Sequence, residues 1–402
     1  ISFWILTGGL RTPADDQIQV YSAAQLFNEG VYTNLTQGGY IEMYVQQLGF
    51  VAYLQIILRF FGQDNFLAVQ VINCLFIAGT VFGISLCMDE LTEDNRIRVA
   101  GSIFILPMLP LYLLCSWVYG DMPCLFFTFL FFYFFFRFCK TRKKYQILYM
   151  VFFLSLSMVF RKNSLIILIG VVIALVLVWW KRREFIILVA AACIVVFPLA
   201  SVELLEQYYE AVSGYEIEGG LPSIMWITMG MLEGGSKPGW FNNYSVPVYY
   251  AVDCDRDAAA EVARQEINTR IAYFVKNPTY AVSFYKRKIC TQWNDPFYNT
   301  DFRIAVDKGV NPSGITEFLL QNQDALHVAL AGYQFLVYLG AFLYCVRVTN
   351  TRHLEGNVFL IIFIGGFLFS ILWEANSRYV IPYVLMLLPI AVQGWGSIKL
   401  RR

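Results

Sequence analysis

The chain has 402 residues, 58% of them hydrophobic, 17% aromatic and 15% charged, with a mean hydropathy of +0.54. A soluble domain carries about 25% charged residues, so the composition excludes an ordinary soluble globule and describes a polytopic membrane protein. The formal net charge is only +1, and no segment polar enough to be soluble carries a basic stripe, which excludes nucleic acid as a partner.

The sequence opens on Ile1-Ser2-Phe3-Trp4-Ile5-Leu6, inside an apolar segment that ends near Leu10. With no charged n-region and no cleavage site, it reads as the outer end of a truncated first span, not as a signal peptide. Two adjacent carboxylates, Asp15 and Asp16, follow at the water boundary. Behind them Val20, Ala23, Ala24, Phe27 and Val31 recur at i, i+3, i+4 and i+7, which predicts a helix lying on the membrane surface. The apolar stretch 44–62 predicts a second interfacial or half-buried helix on the same face. Residues 11–65 therefore read as an outer loop holding two such helices. Six spans are expected within 66–202, near 66–88, 99–116, 121–138, 146–160, 164–180 and 185–202. A large polar outer loop, 203–325, precedes three more within 326–402, near 326–347, 357–373 and 379–397. The outer loop carries turn signals at Glu218–Pro222 and Gly234–Trp240. It also carries a predicted helix at about 256–275 with Ala258, Val262, Ile267, Ile271 and Phe274 on its apolar face. The expectation is a single all-α integral membrane domain of about ten spans, counting the truncated one. Several spans fall short of the roughly 20 residues a crossing needs, which implies local thinning or helices that break near one face.

Orientation follows from the basic residues. Arg137, Lys140, Arg142, Lys143 and Lys144 form one cluster and Lys181, Arg182 and Arg183 a second. Arg347 and Arg352 flank a short loop, and Lys399, Arg401 and Arg402 end the chain. Alternating the spans places all four on one side, the cytoplasmic one. The acidic loop 89–98 joins them by parity alone. The opposite, outer side then collects Asp15, Asp16, Asp121, Arg161, Lys162, Glu374 and Arg378. Ionisable groups at the edge of apolar segments are costly and mark a function or a partner. Each also has a plainer reading. Arg161 and Lys162 suit headgroup snorkelling, Glu374 and Arg378 an i, i+4 helix-end pair, and Asp15 and Asp121 helix caps. His327 and His353, the only histidines, fall at opposite faces, which argues against a histidine triad or metal site. Among nine cysteines there is no zinc spacing. Only Cys254 and Cys290 fall in the outer loop, open either to a disulfide in an oxidising compartment or to a role as small apolar residues.

With these residues in place the chain resembles the GT-C glycosyltransferases, polytopic enzymes that use a lipid-phosphate-linked sugar. The branch it is most similar to holds protein O-mannosyltransferases, the aminoarabinose transferase that modifies lipid A, and related Gram-positive proteins. Pro13-Ala14-Asp15-Asp16 resembles the acidic pair after the family's first span. Tyr44-Val45-Gln46-Gln47-Leu48-Gly49 and Tyr119-Gly120-Asp121 follow in the family's order. Glu374 through Tyr379 with Pro382 looks like its E-x-x-x-R-Y-x-x-P signature, and Trp293-Asn294-Asp295-Pro296 like a loop motif of Gram-positive members. The chain departs in having Asp-Asp where many relatives have Asp-Glu, and Val45-Gln46 where a proline pair often stands.

The resemblance implies an inverting transfer from a polyprenyl-monophosphate-linked sugar to a glycan, lipid or protein acceptor at the outer face of the plasma membrane. Asp15 stands in the family's first acidic position and is expected to act as the base, with Asp16 and Asp121 beside it. Arg161, Lys162 and Arg378 are expected to bind the donor phosphate. Tyr44, Gln47, Glu374 and Tyr379 are expected to contact substrate. Asp16 and Asp121 are the oxygen ligands a divalent cation such as Mg or Mn would take, and no metal is committed. The competing classes are a transporter or flippase, which tends to show inverted repeats and mid-membrane charges where this chain shows no repeat and charges at one face, and a surface-glycan polymerase or ligase using a diphosphate-linked donor.

Overall fold

A computed structural model describes residues 13–235, 237–301, 314–348 and 354–398. The expected first span at 1–10, Arg352, His353 and the terminal Lys399, Arg401 and Arg402 lie outside the described residues.

Every expected span among the described residues falls on helix. In chain order the helices are α1 (Asp16–Asn28), α2 (Leu48–Phe61), α3 (Phe66–Leu91), α4 (Asn95–Phe104), α5 (Leu109–Leu113), α6 (Asp121–Thr141), α7 (Tyr145–Phe160), α8 (Ser164–Arg182) and α9 (Phe185–Ser213). The outer segment adds α10 (Ile224–Met231), α11 (Ser245–Ala251), α12 (Arg256–Lys276), α13 (Pro278–Trp293) and α14 (Gly314–Gln321). The chain then closes with α15 (Gln323–Arg347), α16 (Val358–Leu372) and α17 (Ile381–Gly396). The described residues contain no β-strand beyond two isolated bridges. Six helices are long and apolar enough to cross a membrane, and up to eight spans result if each of two bent pairs counts as one. The architecture is thus all-α and multi-pass, at a coarser count than the expected ten. One bent pair is α4–α5, turned by 54° where Pro107 and Pro110 interrupt the hydrogen-bond ladder. Two further apolar helices, α7 with 16 residues and α16 with 15, are short.

The core is aromatic. Phe129, Phe131, Phe132, Phe135, Phe136 and Phe138 of α6 are all buried, and Phe132 meets Phe359 of α16 edge to face at 4.7 Å. Lipid tails are as apolar as these rings, so this packing contributes through close contact and ring geometry more than through transfer from water.

The two basic turns share one end of the bundle, where Arg142 of the α6–α7 turn pairs with Glu184 of the α8–α9 turn at 3.0 Å. Glu90 at the end of α3 reaches Lys140 at 3.0 Å. The acidic loop placed there by parity therefore does lie with the basic clusters.

Two helical faces differ from expectation. Val20, Ala23, Ala24 and Phe27 of α1 are buried against Val51, Leu54 and Leu58 of α2, so this stripe packs on protein and not on lipid. Val31 lies beyond the helix and is exposed. It is α2 that keeps an open apolar face, with Ile56 at 55% and Phe60 at 80% exposure. On α12 the buried residues are Ala259, Ala260, Ala263 and Phe274, while Val262 and Ile271 are exposed. Small alanines let α12 approach α10 closely enough for the Thr228 hydroxyl to donate to the Ala263 carbonyl at 3.4 Å.

Candidate functional site

The site is assembled at the end of the bundle opposite the basic turns, where α6 begins, α7 hands over to α8, and α16 hands over to α17. Asp121 is the first residue of α6, and Gly120, not Asp121, holds the N-cap position. The Asp121 carboxylate turns inward: Oδ1 lies 3.5 Å from Arg161 Nη2 and Oδ2 lies 3.4 Å from Arg378 Nη1. The three side chains are only 11–15% exposed. Arg161 stands over the Tyr119 ring at 5.0 Å, and Arg378 lies over Trp117 at 4.2 Å and Tyr119 at 5.4 Å. Rings under each guanidinium fix its plane and supply cation–π attraction. Gly120 makes the approach feasible, because a Cβ there would sit 2.5 Å from the Phe160 carbonyl oxygen, beside Arg161. Gly49 does the same for α2, where a Cβ would lie 1.9 Å from the Val159 carbonyl oxygen.

Two guanidiniums share one carboxylate, so this cluster keeps one positive charge in excess at a place with little water. Such an arrangement suits an anion with several acceptor oxygens. The same residues line a small cavity of about 40 Å3 that also touches Cys124, Thr128, Ser164 and Tyr379. Below it the hydroxyls of Thr128, Ser157 and Ser164 form a chain with 2.8 Å links across α6, α7 and α8.

The second half of the site is acidic. Glu374 is 6% exposed and lies in the non-helical link after α16, so the i, i+4 helix-end pair is not formed and Arg378 pairs with Asp121 instead. Burial, with Asp16 next in effect, pushes the Glu374 carboxyl up to about 7. Asp16 also adds to burial in raising the Tyr44 phenol to about 12 and the Tyr119 phenol further. Asp16 is exposed, yet it acts electrostatically on Tyr44, Tyr119 and Glu374. Asp15 precedes α1 at φ 51 without a side-chain cap and is exposed, as Asp16 is. Gln47 is buried and its amide donates to the Tyr119 hydroxyl.

Groups given no site role from sequence hold the Glu374 link. Lys288 of α13 is fully buried, and its ammonium donates to the carbonyls of Gly230, Ile371 and Trp373 at 2.7, 2.9 and 2.7 Å. It thereby closes the carboxyl ends of α10 and α16. Burial pushes its pKa down to about 7, against the pull of Glu374. Asp295, within the Trp293–Pro296 motif, accepts from the Ser377 hydroxyl at 2.6 Å, and Trp293 Nε1 donates to Ser370 Oγ at 2.9 Å. The Ala375 N–H donates to the Gly239 carbonyl at 2.7 Å. The Trp293–Pro296 motif thus anchors the Glu374–Tyr379 motif. Lys288 carries no sequence signal, since it sits among Lys286 and Arg287 on a polar helix.

Of the expected phosphate-binding residues, Lys162 is not brought in. It is half exposed and reaches Glu206 at 3.4 Å. Cys254 and Cys290 are free thiols. With one oxygen of Asp121 turned to each arginine, a cation there would displace a guanidinium. Among the described residues no three His, Cys, Asp or Glu side chains gather as metal ligands. Asp121 is thus taken up by the two arginines, and no step is derived through a divalent cation.

Comparison of the chain with protein-family models, with curated proteins and with solved structures finds no match.

Proposed function

We propose that this chain is a glycosyltransferase of the GT-C kind. It moves a sugar from a polyprenyl-monophosphate donor to a cell-surface acceptor at the extracytoplasmic face of the plasma membrane, with inversion. The observation that carries this reading is the pairing of Arg161 and Arg378 on the single carboxylate of Asp121, beside Asp16 and Glu374, at one end of an apolar helical bundle. A lipid-linked donor accounts for a site of this kind without a nucleotide-binding loop. The surplus guanidinium charge stabilises the phosphate as it leaves.

In the proposed step the acceptor hydroxyl gives its proton to the Asp16 carboxylate, and its oxygen forms a bond to the sugar C1. The C1–O bond to the phosphate breaks, and the electron pair leaves with the polyprenyl phosphate, held by Arg161 and Arg378. Asp16 is assigned as the base for its electrostatic reach to Tyr44, Tyr119 and Glu374, and its neighbour Asp15 is the alternative. Glu374, Tyr44, Gln47 and Tyr379 are assigned to positioning substrate. Asp121 holds the two arginines.

The test is transfer by the protein in lipid nanodiscs, using labelled polyprenyl-monophosphate sugars and an envelope acceptor pool. Asp16→Asn should lower kcat by about 10²–10⁴-fold, the usual worth of a general base, and Asp15→Asn should cost much less. The reverse ranking returns the base to Asp15. Transfer from a diphosphate-linked donor alone makes the protein a polymerase or ligase, and movement of the lipid without bond cleavage makes it a flippase.

A further inference from the structure

An aromatic row runs from the acidic half of the site toward the rim of the bundle. Tyr40 lies 4.9 Å from Tyr44, Tyr44 lies 6.3 Å from Trp226, and Trp226 lies 5.9 Å from Trp373 with the two ring planes within 8° of parallel. Phe369 continues the row 4.8 Å from Trp373. The four inner rings are half-buried, and Phe369 is 36% exposed beside the open Leu368 and Leu372.

Membrane proteins often ring their surface with aromatic residues at headgroup level. This row differs in direction and company. It leads inward, from a lipid-facing residue to the two carboxylates. Glu374 follows Trp373 directly in the chain, and Asp16 acts on both Tyr40 and Tyr44. Its hydrogen-bonding capacity is also unspent. Neither the Trp226 nor the Trp373 indole N–H meets a protein acceptor among the described residues. Gln47, 4% exposed, has no partner for Oε1. An unpaired buried amide oxygen is costly unless something else satisfies it.

Stacked rings, free indole donors, an unused amide oxygen and two carboxylates together match one ligand chemistry. A pyranose ring offers an apolar C–H face to aromatic planes and a rim of hydroxyls to amides and carboxylates. An acyl chain has no use for the polar groups. A peptide hydroxyl does not need a platform of five rings.

We infer that Tyr40, Tyr44, Trp226 and Trp373 form the acceptor subsite, and that the acceptor is a carbohydrate, as a free glycan or as the headgroup of a glycolipid. The inference rests on the glycosyl-transfer reading above. The experiment offers the full chain in nanodiscs a labelled polyprenyl-monophosphate sugar with one of four acceptors: a soluble oligosaccharide, a glycolipid, phosphatidylglycerol, or a serine-rich peptide. Transfer to the sugar-bearing acceptors is expected, and preference between the first two identifies the source. Trp226→Ala should raise the acceptor KM about tenfold, equivalent to about 1.4 kcal/mol, with the donor KM unchanged as the check on folding. Trp226→Phe should keep most of the affinity. Transfer only to the lipid or the peptide, or an unchanged acceptor KM in Trp226→Ala, overturns the subsite. Calorimetric binding of the oligosaccharide without donor separates the two levels. Binding that depends on Trp226 in a protein that transfers nothing sinks the transferase reading and leaves the subsite. Transfer without such dependence does the opposite.

Discussion

Asp121→Asn is the sharpest probe of the charge cluster. The substitution keeps shape and removes the one negative charge that two arginines share. At separations of 3.5 and 3.4 Å each pair is worth about 5 kcal/mol of Coulomb energy at an effective dielectric of about 20. Part of this is offset by the desolvation already suffered, so the expected net loss of stability is about 3–5 kcal/mol, the usual cost of breaking a nearly buried pair. The two guanidiniums are then left facing each other without a counter-ion. An anion with phosphate chemistry should replace the missing carboxylate. Thermal unfolding of the purified protein in nanodiscs, with and without polyprenyl phosphate, reads both effects. The variant should melt lower than wild type without ligand, and polyprenyl phosphate should raise its melting temperature by more than it raises that of wild type. A variant as stable as wild type would refute the electrostatic account. A destabilised variant that gains no more than wild type would refute the assignment of the arginines to phosphate.

Three further outcomes are expected. Arg161→Ala should raise the donor KM by at least about tenfold, equivalent to about 1.4 kcal/mol, while Lys162→Ala, reaching only Glu206, should change it little; equal effects in steady-state kinetics would undo the distinction. Gly120→Ala should cost about 1–3 kcal/mol through overpacking, because its methyl would sit 2.5 Å from the Phe160 oxygen, and a denaturation series checks it. The Glu374 carboxyl, raised from 4.5 to about 7, binds its proton more tightly in the folded than in the unfolded state. Its contribution to stability is therefore fully present below about pH 4.5 and lost as pH rises to about 7, by at most about 3 kcal/mol. Glu374→Gln should flatten that part of the melting-temperature profile, and an unchanged slope would exclude Glu374 as its source.

Hydropathy was enough to find the apolar helices, six of them long enough to cross a membrane, because a crossing segment must satisfy its own backbone and so declares itself as apolar helix. Parity then gathered Asp121, Arg161, Glu374 and Arg378 at one end, and three of these meet in the cluster. Local pattern could not give the partner of each face. The stripe on α1 has the same spacing whether it meets lipid or, as here, α2. Nor could pattern choose between Asp15 and Asp16, two adjacent and exposed carboxylates of the same chemistry. Lys288 was hidden for a related reason. Its partners are carbonyls at the ends of helices 58 and 83–85 positions away, and no spacing in the sequence marks them.

The short helices have a consequence for depth. At 1.5 Å per residue α7 is about 24 Å long and α16 about 22 Å, against about 30 Å of hydrocarbon in a bilayer. Each starts level with its neighbours at the basic end, where α7 follows the Arg142 turn and Asn357 before α16 meets Tyr344. Each stops at the site, one residue before Arg161 and two before Glu374. The charged cluster thus lies at the ends of two helices too short to cross that core alone, while α3 with 26 residues and α9 with 29 are longer. On the proposed reading, ending α7 and α16 early puts the arginines within reach of a phosphate whose lipid chain stays in hydrocarbon.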